Sequence, residues 1–240
     1  MNIQISEWDT KHFGTKIAKL PYLEDPSYIK KAIQESIDND VKLLINRCPT
    51  GDFQWIHELE RKGFLLMDTI VYYTLDLVNF QIPETKYEAR TATKKDIPAI
   101  KSIAKDSFTG YISHFSADPK LDKSKCYEVY EQWAVNSLHD RHLADHVVLV
   151  EIEGVLAGFN TIKLKDNGRT GDGRLSAVNP AFRRQGVYTD VVVNSLKWMR
   201  SKGCTKSERS TQITNISSQN TFIKLGYYLD RSYYTFHLWI

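Results

Sequence analysis

The segment Leu175-Ser-Ala-Val178-Asn-Pro180-Ala-Phe-Arg183-Arg184-Gln185-Gly186-Val187-Tyr188 gathers residue types that can hold anionic oxygens. An apolar strand ends at Val178, Pro180 breaks it, and a long amphipathic pattern starts near Gly186. A loop so placed presents free backbone N–H groups at the positive end of a helix. Such a nest takes a pyrophosphate without a dedicated side chain. Gly186 lets backbone approach the ligand closely, and Arg183 and Arg184 add charge-assisted hydrogen bonds. The plain alternative is a solvated loop with two arginines facing water; the strand before it and the helix after it weigh against that.

Elements on both sides must hold this loop. The strand spans residues 171–178, and the helix spans residues 185–202, with Tyr188, Val192, Leu196 and Met199 inward and Gly203 closing it. Upstream, residues 146–152 and 155–165 read as a hairpin turning at Glu153-Gly154. Thr93-Lys-Lys-Asp96 opens a helix with Ile97, Ile100 and Ala104 on one face, and a second helix carries Tyr127, Tyr130, Ala134 and Leu138. The tail alternates strand (205–212), helix (217–225) and strand (227–238). On it, Glu208 and Ser210 stand where a base or ordered water could be held, although alternation on a half-buried strand explains them equally. Asn215 either serves the site or caps the following helix. The aromatic run 233–239 reads as core and sheet edge.

The amino-terminal region is also mixed α/β. Asp25-Pro-Ser27 starts a helix bearing Ile29, Ala32, Ile33 and Ile37, residues 41–45 read as a buried strand, residues 52–62 as a helix stopped by Gly63, and residues 64–77 as strand. Gln81-Ile-Pro-Glu-Thr-Lys86 is a polar break that divides the chain into domains 1–82 and 83–240. Leu59-Glu-Arg-Lys-Gly63-Phe64 and Phe222-Ile-Lys-Leu-Gly226-Tyr227 each lead into an aromatic strand, which reads as a degenerate half-repeat. The first half has no phosphate loop, so a structural role is expected for it.

Composition narrows the class. With 240 residues, 42% hydrophobic and 25% charged, the chain is an ordinary globular protein. Its 32 basic and 29 acidic residues leave +3, too little to argue for a nucleic-acid partner. Cys48, Cys126 and Cys204 lie far apart, giving neither a disulfide framework nor a metal site. The opening residues lack a signal-peptide pattern and the apolar runs are strand-sized, so a cytoplasmic enzyme with no membrane partner is expected.

Val178-x-Pro180-x-x-Arg183-Arg184-x-Gly186-Val187, between a strand and a long helix, resembles the acetyl-CoA motif of the GNAT superfamily. The Gln/Arg-x-x-Gly-x-Gly/Ala pattern of that superfamily falls on Arg183, Gly186 and Tyr188, and Tyr188 departs from the usual small residue. A second signature, Asn…Tyr…Gly, falls on Asn215, Phe222 and Gly226, with Phe in the place of Tyr. Shorter motifs resemble dTDP-fucosamine acetyltransferases: Ser6-Glu-Trp8-Asp-Thr-Lys-His-Phe13-Gly14, Asp96-Ile-Pro98-Ala-Ile, Tyr130-Glu-Gln-Trp133, and Ser113-His114-Phe115-Ser-Ala-Asp118-Pro119.

The resemblance implies an α/β (α+β) GNAT fold with a central mixed, mostly antiparallel sheet, preceded by a smaller half-GNAT-like domain. It implies acyl-CoA as co-substrate, with acetyl or a longer acyl such as 3-hydroxybutyryl. The implied acceptor is a dTDP-linked 3- or 4-amino-dideoxyhexose destined for surface polysaccharide such as lipopolysaccharide O-antigen; a homodimer is left open. Acyl-CoA contacts would fall on Ala177, Val178, Arg183, Arg184, Gln185, Gly186, Val187, Tyr188, Asn215 and Phe222, and acceptor contacts on Ser113, His114, Phe115 and Asp118. The catalytic set would be the Val178 N–H, donating to the oxyanion, and Asn215. The thiolate usually takes its proton from the Tyr that is Phe222 here, so that role is vacant or moved. Two other readings stay open: acylation of a peptide or antibiotic amine, and a non-catalytic acyl-CoA-binding module.

Overall fold

The computed structural model describes residues 3–240. In chain order its elements are β1 (Gln4–Ile5), α1 (Glu7–Phe13), β2 (Ile17–Leu20), α2 (Tyr28–Asp38), β3 (Leu43–Pro49), α3 (Phe53–Arg61) and β4 (Leu65–Asp76). Then come β5 (Ala89–Thr91), α4 (Ile97–Phe108), α5 (His114–Ala117), α6 (Lys123–Asn136), β6 (His146–Ile152), β7 (Val155–Lys165), β8 (Thr170–Val178), α7 (Val187–Ser201), β9 (Lys206–Gln212), α8 (Ile216–Lys224) and β10 (Tyr228–Trp239). Local chemistry sets several boundaries. Asp52 accepts the Trp55 N–H at 3.0 Å and starts α3. Thr93 and Asp96 form a reciprocal capping box ahead of α4. Glu153 and Gly154 both have positive φ, as a two-residue hairpin turn requires.

The strands form one sheet in the order β1-β2-β3-β10-β4-β9-β8-β7-β6-β5. Pairing is antiparallel except at β2–β3 and β8–β9. One face, carrying Ile45, Leu149, Phe159 and Leu175, is covered by α1, α4, α5 and α6. On the opposite face α2 and α3 cover Leu44 and Phe236, and α7 and α8 cover Val71, Val148 and Ile162.

The centre of the sheet is built by exchange. β3–α3–β4 and β9–α8–β10 repeat one pattern, each helix followed by a glycine at positive φ (Gly63 +83°, Gly226 +85°). The second strand of each unit pairs with the first strand of the other, β10 with β3 and β4 with β9, while β4 and β10 pair together. The 82/83 boundary thus falls in the β4–β5 connection, and the sheet continues across it. The tail strand expected at an edge is interior, because β3 and β4 flank it. The stretch 113–118 holds the short helix α5, because Ser113 caps it by accepting the Ser116 N–H.

Candidate active site

β8 and β9 pair only over residues 170–173 and 206–209. β8 is bulged between its pairings Gly173–Ile162 and Ser176–Asn160, which bends it off its neighbour. Beyond the bulge the two strands part and leave a wedge. The Asn179 N–H donates to the Ala157 carbonyl at 2.8 Å. By antiparallel alternation, Ala177 and Asn179 then bond to β7, while Ser176 and Val178 turn their N–H groups to the wedge. Ala177 itself is core. Ser176 was passed over in the sequence, where alternation from Val178 could have marked it.

The anion loop follows directly. Asn179 accepts the Ala181 N–H at 3.1 Å to shape the turn Pro180–Phe182, and α7 begins at Val187 without a side-chain cap. Its first-turn N–H groups are therefore open to a ligand. Arg183, Arg184, Gln185 and Gly186 are exposed, whereas Val187 is buried against Val191 and Val150. Among the described residues neither arginine joins an ion pair; Arg183 approaches Ser107 Oγ at 3.5 Å, and Ser107 donates to the Val178 carbonyl at 3.3 Å.

The wedge opens into a groove of about 810 Å³ that crosses the sheet beneath α4, α5 and α6, from Tyr188 and Phe222 to Lys19 and Arg47. Five basic residues line it (Lys19, Arg47, Lys165, Arg174, Arg209) against two acidic ones (Asp9, Asp172). Among the described residues, three buried side-chain atoms lack a hydrogen-bond partner: Trp133 Nε1, Arg209 Nη2 and Asp68 Oδ1. Trp133 and Arg209 line the groove, and Asp68 meets the lining residue Gln212 at 3.5 Å. Orphaned polar atoms gathered around one cavity are what a ligand's polar groups would satisfy.

At the wedge, Phe222 is buried among Tyr73, Tyr188 and Tyr227, with the Arg209 guanidinium 5.8 Å from its ring centre. Of those three tyrosines, Tyr188 is the one that lines the groove. Burial pushes its hydroxyl pKa up, against the opposing influence of Arg209 and of the Ser218 and Ser176 hydroxyls. Asn215 lines the groove, yet its amide is engaged at both ends: Oδ1 accepts the Ser218 N–H at 3.3 Å and Nδ2 donates to Thr211 Oγ1 at 3.0 Å. The structure thus uses it as a helix cap. Glu208 is held between Lys165 and Arg231; burial opposes its ionisation, but these cations outweigh it and keep its carboxyl low. That pairing leaves it no role as a base. Ser210 is half-buried in the groove wall.

The acceptor segment divides in two. His114 and Phe115 line the groove. Ser113 and Asp118 are sealed behind them, 0% and 1% exposed, which corrects the expectation that both touch the acceptor. Asp118 receives three hydrogen bonds, from the Lys120 N–H at 2.9 Å, Trp239 Nε1 at 2.8 Å and His237 Nδ1 at 2.7 Å. Burial raises its pKa, and these donors overcome that and hold it below the usual carboxylate value. His237 Nε2 lies 3.0 Å from His114 Nδ1. α1 braces the segment, with the Phe13 ring 4.9 Å from that of Phe115.

Residues 98–227 match the Acetyltransferase (GNAT) family. The chain is 25% identical over 247 residues to the spore coat polysaccharide biosynthesis protein SpsD of Bacillus subtilis (strain 168), covering 98% of this chain and 81% of that protein. Its fold is similar to that of a GCN5-related N-acetyltransferase from Sphaerobacter thermophilus, at TM-score 0.68 and 10% identity over 99% of this chain and 76% of the other. It is also similar to a tandem GNAT protein from the clavulanic acid biosynthesis pathway, at TM-score 0.67 and 14% identity over 94% and 76%. With the uncapped α7, the wedge and the family match in agreement, the chain belongs to the GNAT family and is an acyl-CoA-dependent N-acyltransferase.

Proposed function

We propose that the protein transfers an acyl group from acyl-CoA to the amine of a dTDP-linked 3- or 4-amino-dideoxyhexose for surface polysaccharide. The observation that carries the reading is the groove's charge. Its five basic residues against two acidic ones suit an acceptor bearing a diphosphate and disfavour a cationic peptide or polyamine antibiotic. Arg47 is exposed and, among the described residues, joins no ion pair, while Tyr22 and Tyr72 offer rings to a base or sugar at the same end. The polysaccharide name of SpsD points the same way.

At the other end, the pyrophosphate of CoA sits on Arg183, Arg184 and the N–H groups of residues 185–188, and the pantetheine follows the wedge past Ala177 and Val178. The thioester oxygen faces the N–H of Val178 or Ser176, where preorganised donors stabilise developing charge. Holding amine and thioester together supplies up to roughly 7–11 kcal/mol of the barrier reduction. Tyr188 takes over the proton donation that Phe222 cannot provide. Thiol release from several acyl-CoAs, assayed against dTDP-amino sugars, free amino sugars and peptide amines, tests the reading. Turnover restricted to dTDP-amino sugars is expected, and a preference for peptide or antibiotic amines would sink it. CoA binding without turnover of any amine would instead favour a binding module.

A further inference from the structure

We propose that His114 is the base that removes the proton from the attacking amine, with His237 and Asp118 as positioning residues that fix its tautomer and steady its charge. The proposal rests on the groove being the site of amine acylation, as argued above. The Asp118 carboxylate can only accept, so His237 donates to it from Nδ1 at 2.7 Å. In the neutral His237 ring, Nε2 is then an acceptor. The 3.0 Å contact therefore requires His114 to donate from Nδ1, which places the lone pair of His114 on Nε2. Among the described residues that nitrogen has no protein partner and is not one of the sealed orphan atoms, and His114 lines the groove. A basic lone pair thus faces the space where an amine must arrive.

The surroundings suit the task. Burial first, and beyond it the charges of Arg47 on β3 and Lys19 on β2, hold the His114 pKa well below its ordinary value, so the ring is unprotonated at neutral pH. Lys19 is already paired with Asp9 at 3.0 Å, so a diphosphate pairing with Arg47 would cancel the unpaired one of these charges and strengthen the base as the acceptor binds. In the step itself, the amine lone pair forms the C–N bond at the thioester carbonyl, and the carbonyl π pair moves to oxygen. His114 Nε2 takes the N–H proton, while the Nδ1–H bond to His237 and the Asp118 charge behind it stabilise the imidazolium. Collapse breaks the C–S bond, the sulfur leaves with the electron pair and gains a proton, and His114 returns its own to the groove or solvent. One amine and one thioester give one amide and one thiol.

Two measurements test this. Side-chain nitrogen NMR of the wild-type chain reads the tautomers without turnover. Protons on Nδ1 of both His114 and His237 are expected near pH 7, and a proton on His114 Nε2 overturns the proposal. Kinetics with acetyl-CoA and dTDP-4-amino-4,6-dideoxygalactose give the second test. His114→Gln should lower kcat about 100-fold or more while the KM for acetyl-CoA stays within about twofold. The loss should shrink between about pH 7 and 9, where the amine arrives already deprotonated. Asp118→Asn, which keeps an acceptor oxygen but loses the charge, should cost about tenfold in kcat. A His114→Gln loss equal at every pH, or no loss, overturns the assignment. Failure of the wild type to acylate this acceptor would refute the acceptor reading alone, and the tautomers would still decide the relay.

Discussion

Among the described residues a Cβ added to Gly186 would meet nothing within 4 Å, yet its φ of +84° lies where L side chains rarely go. Backbone conformation therefore explains this glycine before any crowding does, and Gly186→Ala should disturb the loop by about 1–2 kcal/mol. Arg183 acts through charge. Losing one charge-assisted bond costs about 1.5–3 kcal/mol, so Arg183→Ala should raise the calorimetric Kd for CoA roughly ten- to hundredfold with folding unchanged. Unchanged affinity would remove Arg183 from the pyrophosphate site. The Tyr188 and Phe222 pair predicts a second contrast. Tyr188→Phe should lower kcat about 100-fold with little change in the KM for acyl-CoA, whereas Phe222→Tyr should change kcat less than tenfold. A large gain from Phe222→Tyr would mean that no group supplies the thiolate proton in the natural chain.

The wedge depends on two adjoining strands, β8 with its bulge and β9 with the buried Arg209. A Cβ at Gly173 would come within 2.8 Å of the Arg209 Cζ, and Arg209 is 1% exposed with little room to retreat. Gly173→Ala should therefore destabilise the fold by about 1–3 kcal/mol and displace the guanidinium from the wedge. A lower urea midpoint together with a raised KM for acyl-CoA is expected; an unchanged midpoint would show that Arg209 moves freely. Much at this scale was legible from sequence. The β6–β7 hairpin announced itself through Glu153-Gly154, and α3 through Asp52 and Gly63. The wedge was hidden, because alternation along 170–178 marks a strand but shows neither the bulge nor how soon its pairing with β9 ends. α1 went unmarked because its seven residues, four of them acidic or basic, carry too little periodicity. The relay escaped because His237 and Asp118 stand 119 positions apart, and His237 sits in an aromatic strand that reads as ordinary core.

At the scale of the molecule, exchange of β4 and β10 makes the halves inseparable. A chain starting at Lys86 loses β4 and bares the edges of both β9 and β10, an invitation to aggregate. It should be poorly soluble and inactive, and normal thiol release by that fragment would show the first half to be dispensable. Acid stability belongs here too. His146 stacks on Trp198 at 4.3 Å, and burial, then Lys202 and Arg141, lower its pKa to about 4. Below its ordinary value of 6.5 the unfolded chain binds a proton that the folded chain refuses, so stability falls from about pH 6.5 to about 4 and then levels. His146→Phe should flatten the fall of Tm over that window by a few degrees; an unchanged slope would assign it to other groups. The same exchange bears on how the chain is made. Both neighbours of β4 lie downstream of it, and residues 77–227 must be synthesised before β10 begins, on the order of 10–30 s at bacterial rates. Until β9 is made, late in that interval, β4 waits on the ribosome with both edges unpaired, and its β10 edge stays open to the end, so the nascent chain is most in need of chaperone shelter long after its first half has emerged.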